Sequence, residues 1–332
     1  GRLSDLLAIY TGHSPAAGDA LAPLQPDRLY GISLSTLWSA HQVGPFNGTF
    51  VNARRLGFTG FELNNDVTPE LFNQWNKNQF YVTTVHDPCP SVENYAELKQ
   101  ADTALSSLDE DQRRMSIDNL KRSIDLAVRL GSRSVVIHCG SVHCDQSRDL
   151  KLRKLWKQGL KNTPQYQEIL TEFIQDREVH KAPHLDQVQK SLVEVTAFAH
   201  GSGVALALEN RNRYYDIPLP DELGLFLGLS DDRYYGFQFD IGHAYNQDAL
   251  GTVPFNVWME RFRERLIGVH LHDVIGIQDH QVPGMGDVDF RRIAPYVTDG
   301  VLCTLEIKPD ASLEEIAAGL EVLVDTGCIR KI

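Results

Sequence analysis

The chain has little of what marks several large protein classes. Only five cysteines occur in 332 residues: Cys89, Cys139, Cys144, Cys303 and Cys328. An odd number without a paired spacing excludes a disulfide scaffold and fits a reducing cytoplasm better than secretion. No apolar run approaches the ~20 residues that a membrane helix needs. The opening GRLSDLLAIYTGHSP lacks the layout of a signal peptide, so no membrane partner is expected. Positive charge is also scarce, with 32 Lys+Arg against 44 Asp+Glu and a net charge of -12. That balance disfavours nucleic acid as a partner, because a non-specific grip depends on neutralising phosphates. Repeats and low-complexity tracts are absent. A hydrophobic content of 42% and a charged content of 23% exclude collagen-like and disordered chains.

What is present is an alternation of short apolar runs and amphipathic stretches, the signature of βαβ units. The expected strands are Leu29–Ser35, Phe58–Glu62, Phe80–His86, Arg133–His138, Gly203–Glu209, Tyr235–Asp240, Leu266–His272 and Val301–Glu306. Helical patterns lie between them, including Gln112–Leu130, Leu185–His200, Val253–Arg265 and Leu313–Thr326. Glycines such as Gly57 and Gly131 mark the helix-to-strand joints. Eight such units in one chain predict an α/β fold, a (β/α)8 TIM barrel, which takes about 250 residues as a single domain. A doubly wound sheet competes, but no glycine-rich phosphate fingerprint follows the first strand. Residues 1–27 read as an N-terminal extension. Residues 141–181 are far more than a βα-loop needs and read as a helical insertion after the fourth strand, either a lid or a homo-oligomer contact. Within it, Arg148, Lys151, Arg153, Lys154, Lys157 and Lys161 read first as a solvated basic face. Cys139 and Cys144 flank His143, but as ordinary thiols in a strand-end loop they need no metal.

Side chains alternate across a strand, so parity separates inward from outward residues. Along Ala205-Leu206-Ala207-Leu208-Glu209 the leucines face the helices and Glu209 faces the barrel. The same rule turns Asp240, His270, His272 and Glu306 inward, together with Glu62, His86 and His138. At least seven strands therefore end, at their carboxyl ends, in an inward His, Asp or Glu. That end of a barrel is where catalysis sits. Crowded carboxylates and imidazoles repel or desolvate one another unless a cation neutralises them. Mixed His and carboxylate donors suit Zn²⁺, Mn²⁺, Fe²⁺ or Co²⁺ better than Mg²⁺.

An ordered series of motifs runs through these strand ends. They are Val85-His86-Asp87, Ile137-His138-Cys139-Gly140-Ser141, Leu208-Glu209-Asn210, Asp240-Ile241-Gly242-His243 and His270-Leu271-His272-Asp273. Asp279-His280, Pro283-Gly284-Met285-Gly286 and Leu305-Glu306 follow. From Tyr30 to Gly327 the chain resembles the xylose isomerase-like TIM barrels, a superfamily of sugar isomerases, sugar epimerases and endonuclease IV-type AP endonucleases. The resemblance implies a shared metal held by Glu209, Asp240, His270 and Glu306. It implies that His243 touches substrate in the epimerases and binds another metal in the nucleases. It further implies that His86, His138 and Glu209 hold one additional metal in the nucleases, and that His243 and His280 help to hold another. The nucleases have an Asp two residues before that last histidine. Here the position is Gln278, with Asp279 one residue off.

Two chemistries follow. The first is isomerisation or epimerisation of a small sugar, polyol or sugar phosphate through a metal-stabilised enediolate. Glu209 and Glu306 are the expected proton carriers, with His243 on a substrate oxygen. Glu62, His86, His138, Arg211 and His272 are the expected substrate contacts, Arg211 through a carboxylate or phosphate. The alternative is phosphoester hydrolysis with two or three metals, which the surplus of histidines favours and the acidic balance and Gln278 oppose. A barrel that binds without turnover is a third reading.

Overall fold

The strands, in chain order, are β1 (Tyr30–Ser35), β2 (Phe58–Leu63), β3 (Val82–His86), β4 (Ser134–Ile137), β5 (Ala205–Glu209), β6 (Tyr235–Asp240), β7 (Leu266–Leu271), β8 (Asp273–Ile275), β9 (Gln278–Gln281) and β10 (Leu302–Leu305). Eight of them pair in parallel and close a barrel in the order β1-β10-β7-β6-β5-β4-β3-β2, while β8 and β9 form a separate antiparallel hairpin. The computed structural model describes residues 29–40, 46–75, 80–230 and 234–332. The expected extension, residues 1–27, lies outside the described residues.

The helices are α1 (Leu37–Ala40), α2 (Phe46–Leu56), α3 (Pro69–Gln74), α4 (Tyr95–Gln100), α5 (Glu110–Leu130), α6 (Ser147–Lys157), α7 (Pro164–Ala199), α8 (Pro220–Leu227), α9 (Ile241–Leu250), α10 (Asn256–Phe262) and α11 (Leu313–Asp325). Local chemistry sets their ends. Asp109 caps α5 by accepting from the Asp111 and Gln112 N–H groups, and Gly131 ends it at φ 68°. That left-handed geometry costs glycine nothing. Among the described residues no helix is long and apolar enough to cross a membrane.

Parity along the strands decides what lies inside. Phe237 and Phe239 of β6 point outward, packing on Trp258, Phe262 and Phe255. Gln238 and Asp240 are thereby turned into the barrel, both buried. The register sets Asp240 of β6 and Thr304 of β10 level with His270 of β7, and Ser35 of β1 level with Glu62 of β2.

The segment after β4 differs from expectation in one respect. Its first helix is α6, but its second does not stop within the insertion at residue 181. It continues as the 36-residue α7, through Pro183, to Ala199. The insertion and the crossover helix are one rod. Proline removes one helical hydrogen bond and crowds the preceding turn. Burial of Phe173, Arg177, His184, Val188 and Leu192 along the rod outweighs that cost. A second apolar cluster, Leu152, Tyr166, Leu170, Phe173 and Tyr215, joins α6 and α7 to the loop after β5.

Candidate metal centre

Four strand ends build the centre of the site. His270 Nδ1 lies 2.9 Å from Glu209 Oε1, 3.1 Å from Glu306 Oε2 and 3.5 Å from Asp240 Oδ2. Its other nitrogen, Nε2, lies 3.0 Å from Glu62 Oε1. Four carboxylates thus surround one imidazole in a buried pocket. A single N–H cannot satisfy three oxygens, so the donor set has the composition and convergence that a divalent cation requires. Glu209, Asp240, His270 and Glu306 present one ligand atom each within 4.8 Å of one another. Without a cation the charge is balanced by protons. Burial alone would lower the His270 pKa, but Glu306 and Glu62 outweigh it and hold the imidazole well above 6.5. Burial would likewise raise Glu306, yet His270 and His280 keep its carboxyl at about 2.

Asp240 serves twice. Its Oδ1 accepts the His243 N–H at 2.7 Å, which caps α9. Its two oxygens also lie 3.1 Å from His272 Nε2. His272 Nδ1 accepts the backbone N–H of His280 at 2.9 Å, so the His272 proton belongs on Nε2, facing Asp240. His272 is thereby held as a support for Asp240, and its ring stacks on that of His280 at 4.5 Å. No side chain at position 242 would leave room for this ring, because a Cβ on Gly242 would lie 2.1 Å from His272 Cε1.

His280 arrives from the β8–β9 hairpin with φ 58°, a left-handed conformation uncommon for a side chain of this size. It is fixed by Asp279 Oδ1 at 3.2 Å from Nδ1 and by the Lys308 N–H on its carbonyl. Its Nε2 reaches Glu306 Oε2 at 3.5 Å. The hairpin is anchored by Asp273, whose carboxylate accepts the N–H groups of Val274, Gly284, Gly286 and Val288. The His-x-His-Asp and Pro-Gly-Met-Gly motifs are therefore one device, a loop tied back under the site.

A second group lies beside the first and shares Glu209. His138 Nε2 is 2.8 Å from Glu209 Oε2, and His86 Nε2 is 4.0 Å from it. Tyr95, from α4, holds His138 Nδ1 at 2.8 Å. Arg211 turns inward, with Nη1 on both His138 Nε2 and Glu209 Oε2. Burial, then Arg211 and His86, hold the His138 pKa well below 6.5.

The expected site residues thus separate by position. Glu209, Asp240, His270 and Glu306 come together as one cluster, and His86 and His138 join Glu209 in another. His280 gathers with Asp240, His272 and Glu306. His243 borders these groups: its Nδ1 lies 3.0 Å from the Asn210 carbonyl and 3.5 Å from Asp240 Oδ1, and its ring meets those of His272 and His280 edge-on at 6.4 and 6.0 Å. Gln278 is exposed on the hairpin, and Asp279, its neighbour, is taken by His280, Asn212 and Asn246. Glu62, expected at the substrate, is fully buried beneath His270, where Thr84 and Thr304 hold its other oxygen. Tyr95 was not legible in the sequence, since it comes from a loop helix with no strand parity. Asn210 stood within the Glu-Asn motif without a role. It clamps β6 by bonding both the N–H and the carbonyl of Asp240. His143 pairs with Asp102 at 3.0 Å and packs on His184.

The fold and site define a class: a parallel eight-stranded barrel with buried His and carboxylate clusters at its carboxyl rim that could hold a metal ion. The family model of the xylose isomerase-like TIM barrel matches residues 50–326, and the chain belongs to that family. An L-ribulose 3-epimerase structure is 16% identical, with a TM-score of 0.60 over 90% of this chain and 94% of that one. A Thermus thermophilus protein whose crystals were soaked with ZnCl2 is 21% identical, with a TM-score of 0.57 over 90% of this chain and 99% of that one. Both share the fold. An uncharacterized protein of Methanocaldococcus jannaschii is 24% identical over 65% of this chain. That match spans 64% of the relative, less than two thirds of its length.

Proposed function

We propose that this chain is a metal-dependent isomerase or epimerase of a small sugar, polyol or sugar phosphate. The observation that carries the reading is the convergence of Glu209, Asp240 and Glu306 on His270 Nδ1. Membership of the xylose isomerase-like family supports it, as does the fold shared with an L-ribulose 3-epimerase. A divalent cation bound there supplies Lewis-acid stabilisation for a carbonyl oxygen and the charge that develops on it. Glu306 is the proton carrier at the more open side, because His280 beside it is 22% exposed and can relay the proton. Glu209 carries the proton on the opposite side. His243 holds a substrate hydroxyl through Nε2, since the Asn210 carbonyl occupies Nδ1. Glu62 and His272 are positioning residues, acting through His270 and Asp240.

The test is solvent exchange. Incubated in D₂O with metal and a panel of ketoses and their phosphates, the protein should place deuterium on the carbon beside the carbonyl, read by NMR. Glu306→Gln should abolish the exchange while metal remains bound. No exchange on any sugar, together with cleavage of phosphoesters, would transfer the assignment to the second reading. That reading, phosphoester hydrolysis, draws on the pairing of His86 and His138 with Glu209.

The segment 141–181 covers the site in this proposal. Support comes from Trp156 of α6, whose ring lies against Gly276 of the hairpin and whose Nε1 donates to the Ala249 carbonyl. Arg153 reaches Asn212, the neighbour of Arg211. A cover of this kind excludes water from proton transfer. Hydrogen exchange with and without bound sugar should show new protection over these residues. Unchanged protection would leave the segment as an oligomer contact.

A further inference from the structure

We propose that the Arg211 guanidinium takes the place of a second cation between His86, His138 and Glu209, so that this chain excludes a two-metal centre bridged by Glu209. The inference rests on the metal-dependent reading above and concerns how many ions the site accepts.

The pocket offers three ligand-type atoms within 4.8 Å of one another and shares Glu209 with the main cluster. By composition it would accept a divalent ion bridged to the first. Arg211 sits on the two donors that such an ion needs. Its Nη1 lies 2.5 Å from His138 Nε2 and in hydrogen-bond contact with Glu209 Oε2, atoms that are themselves 2.8 Å apart. A ring nitrogen has one lone pair, which accepts an N–H or a metal but not both. A dication there would also stand beside a permanent positive charge at short range.

Three features keep the guanidinium in place. Gln247 donates to the Arg211 carbonyl at 2.6 Å, fixing the backbone. Tyr95 holds the far nitrogen of His138, so the imidazole cannot swing its Nε2 away. Arg211 also follows Glu209 by two residues, across the Asn210 clamp on Asp240, which aims the turn inward. Unlike a lysine, arginine cannot yield by losing its proton. The chemical consequence is selective. Two-metal phosphoester hydrolysis needs a pair of ions about 3.5–4 Å apart. A fixed guanidinium beside Glu209 instead orients a substrate oxygen next to a single metal.

The probe is Co²⁺ alone, added to metal-stripped protein and counted by equilibrium dialysis with elemental analysis. Electron paramagnetic resonance reads magnetic coupling between bridged ions. Wild type should take up one equivalent with an uncoupled spectrum. Arg211→Met should take up two, with coupling, and adding His138→Ala should return the count to one. Two coupled equivalents in wild type would overturn the inference while leaving the metal-dependent reading intact. No uptake in wild type would overturn that reading and the inference with it. A count that stays at one in Arg211→Met, with wild-type circular dichroism, would also overturn it. Should that variant not fold, the wild-type count in a large excess of Co²⁺ decides alone.

Discussion

Replacing Glu62 by Gln removes one negative charge beneath the metal cluster and almost no volume. Glu62 is fully buried, its Oε1 is 3.0 Å from His270 Nε2, and its Oε2 accepts the Thr84 hydroxyl at 2.6 Å. For His270 to offer Nδ1 to a cation, its proton must sit on Nε2, where the Glu62 carboxylate receives it. The carboxamide of Gln can present its oxygen to Nε2, but its NH₂ then faces the Thr84 hydroxyl, which must turn to accept. The imidazole is left less basic and less firmly oriented. Losses of this kind weaken metal binding about 10- to 100-fold. That range corresponds to about 1.4–2.7 kcal/mol. Competition against a chromophoric chelator measures the Zn²⁺ affinity of wild type and Glu62→Gln. Thr84→Val serves as a control that keeps the carboxylate and removes one of its donors, and it should have the smaller effect. A Glu62→Gln affinity within about threefold of wild type would refute the orienting role.

Two further outcomes are expected. The Arg177–Glu222 pair joins α7 to α8 through contacts of 2.6 and 2.9 Å, both side chains being buried, with a third bond from Arg177 to the Asp216 carbonyl. Arg177→Met should cost about 3–5 kcal/mol in urea unfolding, and Arg177→Met with Glu222→Leu should regain most of it; a single-variant loss below about 1 kcal/mol would disprove the account. For pH, the raised His270 pKa contributes stability that is complete below the unfolded value of 6.5 and is lost as pH rises through the folded value. Chelated protein should therefore melt at falling temperature as the pH climbs above neutrality, and Zn²⁺ should remove that slope by replacing the proton. A flat melting profile in chelator would contradict this.

The sequence by itself determined the barrel and the inner members of the cluster. Alternation along a strand is local and strictly of period two, so the outward Phe237 and Phe239 already turned Asp240 inward, and Leu206 and Leu208 did the same for Glu209. Helix ends were legible where a glycine marked the joint to the next strand, as with Gly131. The tertiary structure alone decided what the loops bring to those strand ends. His280 reaches Glu306 only because Asp273 ties the hairpin beneath the site, eleven and thirteen residues from the amides of Gly284 and Gly286. Tyr95 meets His138 across 43 residues, and Arg211 folds back on its own strand instead of outward to solvent. The α7 rod runs through Pro183 because packing against the barrel outweighs a local preference to break there. In each case the deciding term is a contact between residues far apart in the chain, and no local period encodes it.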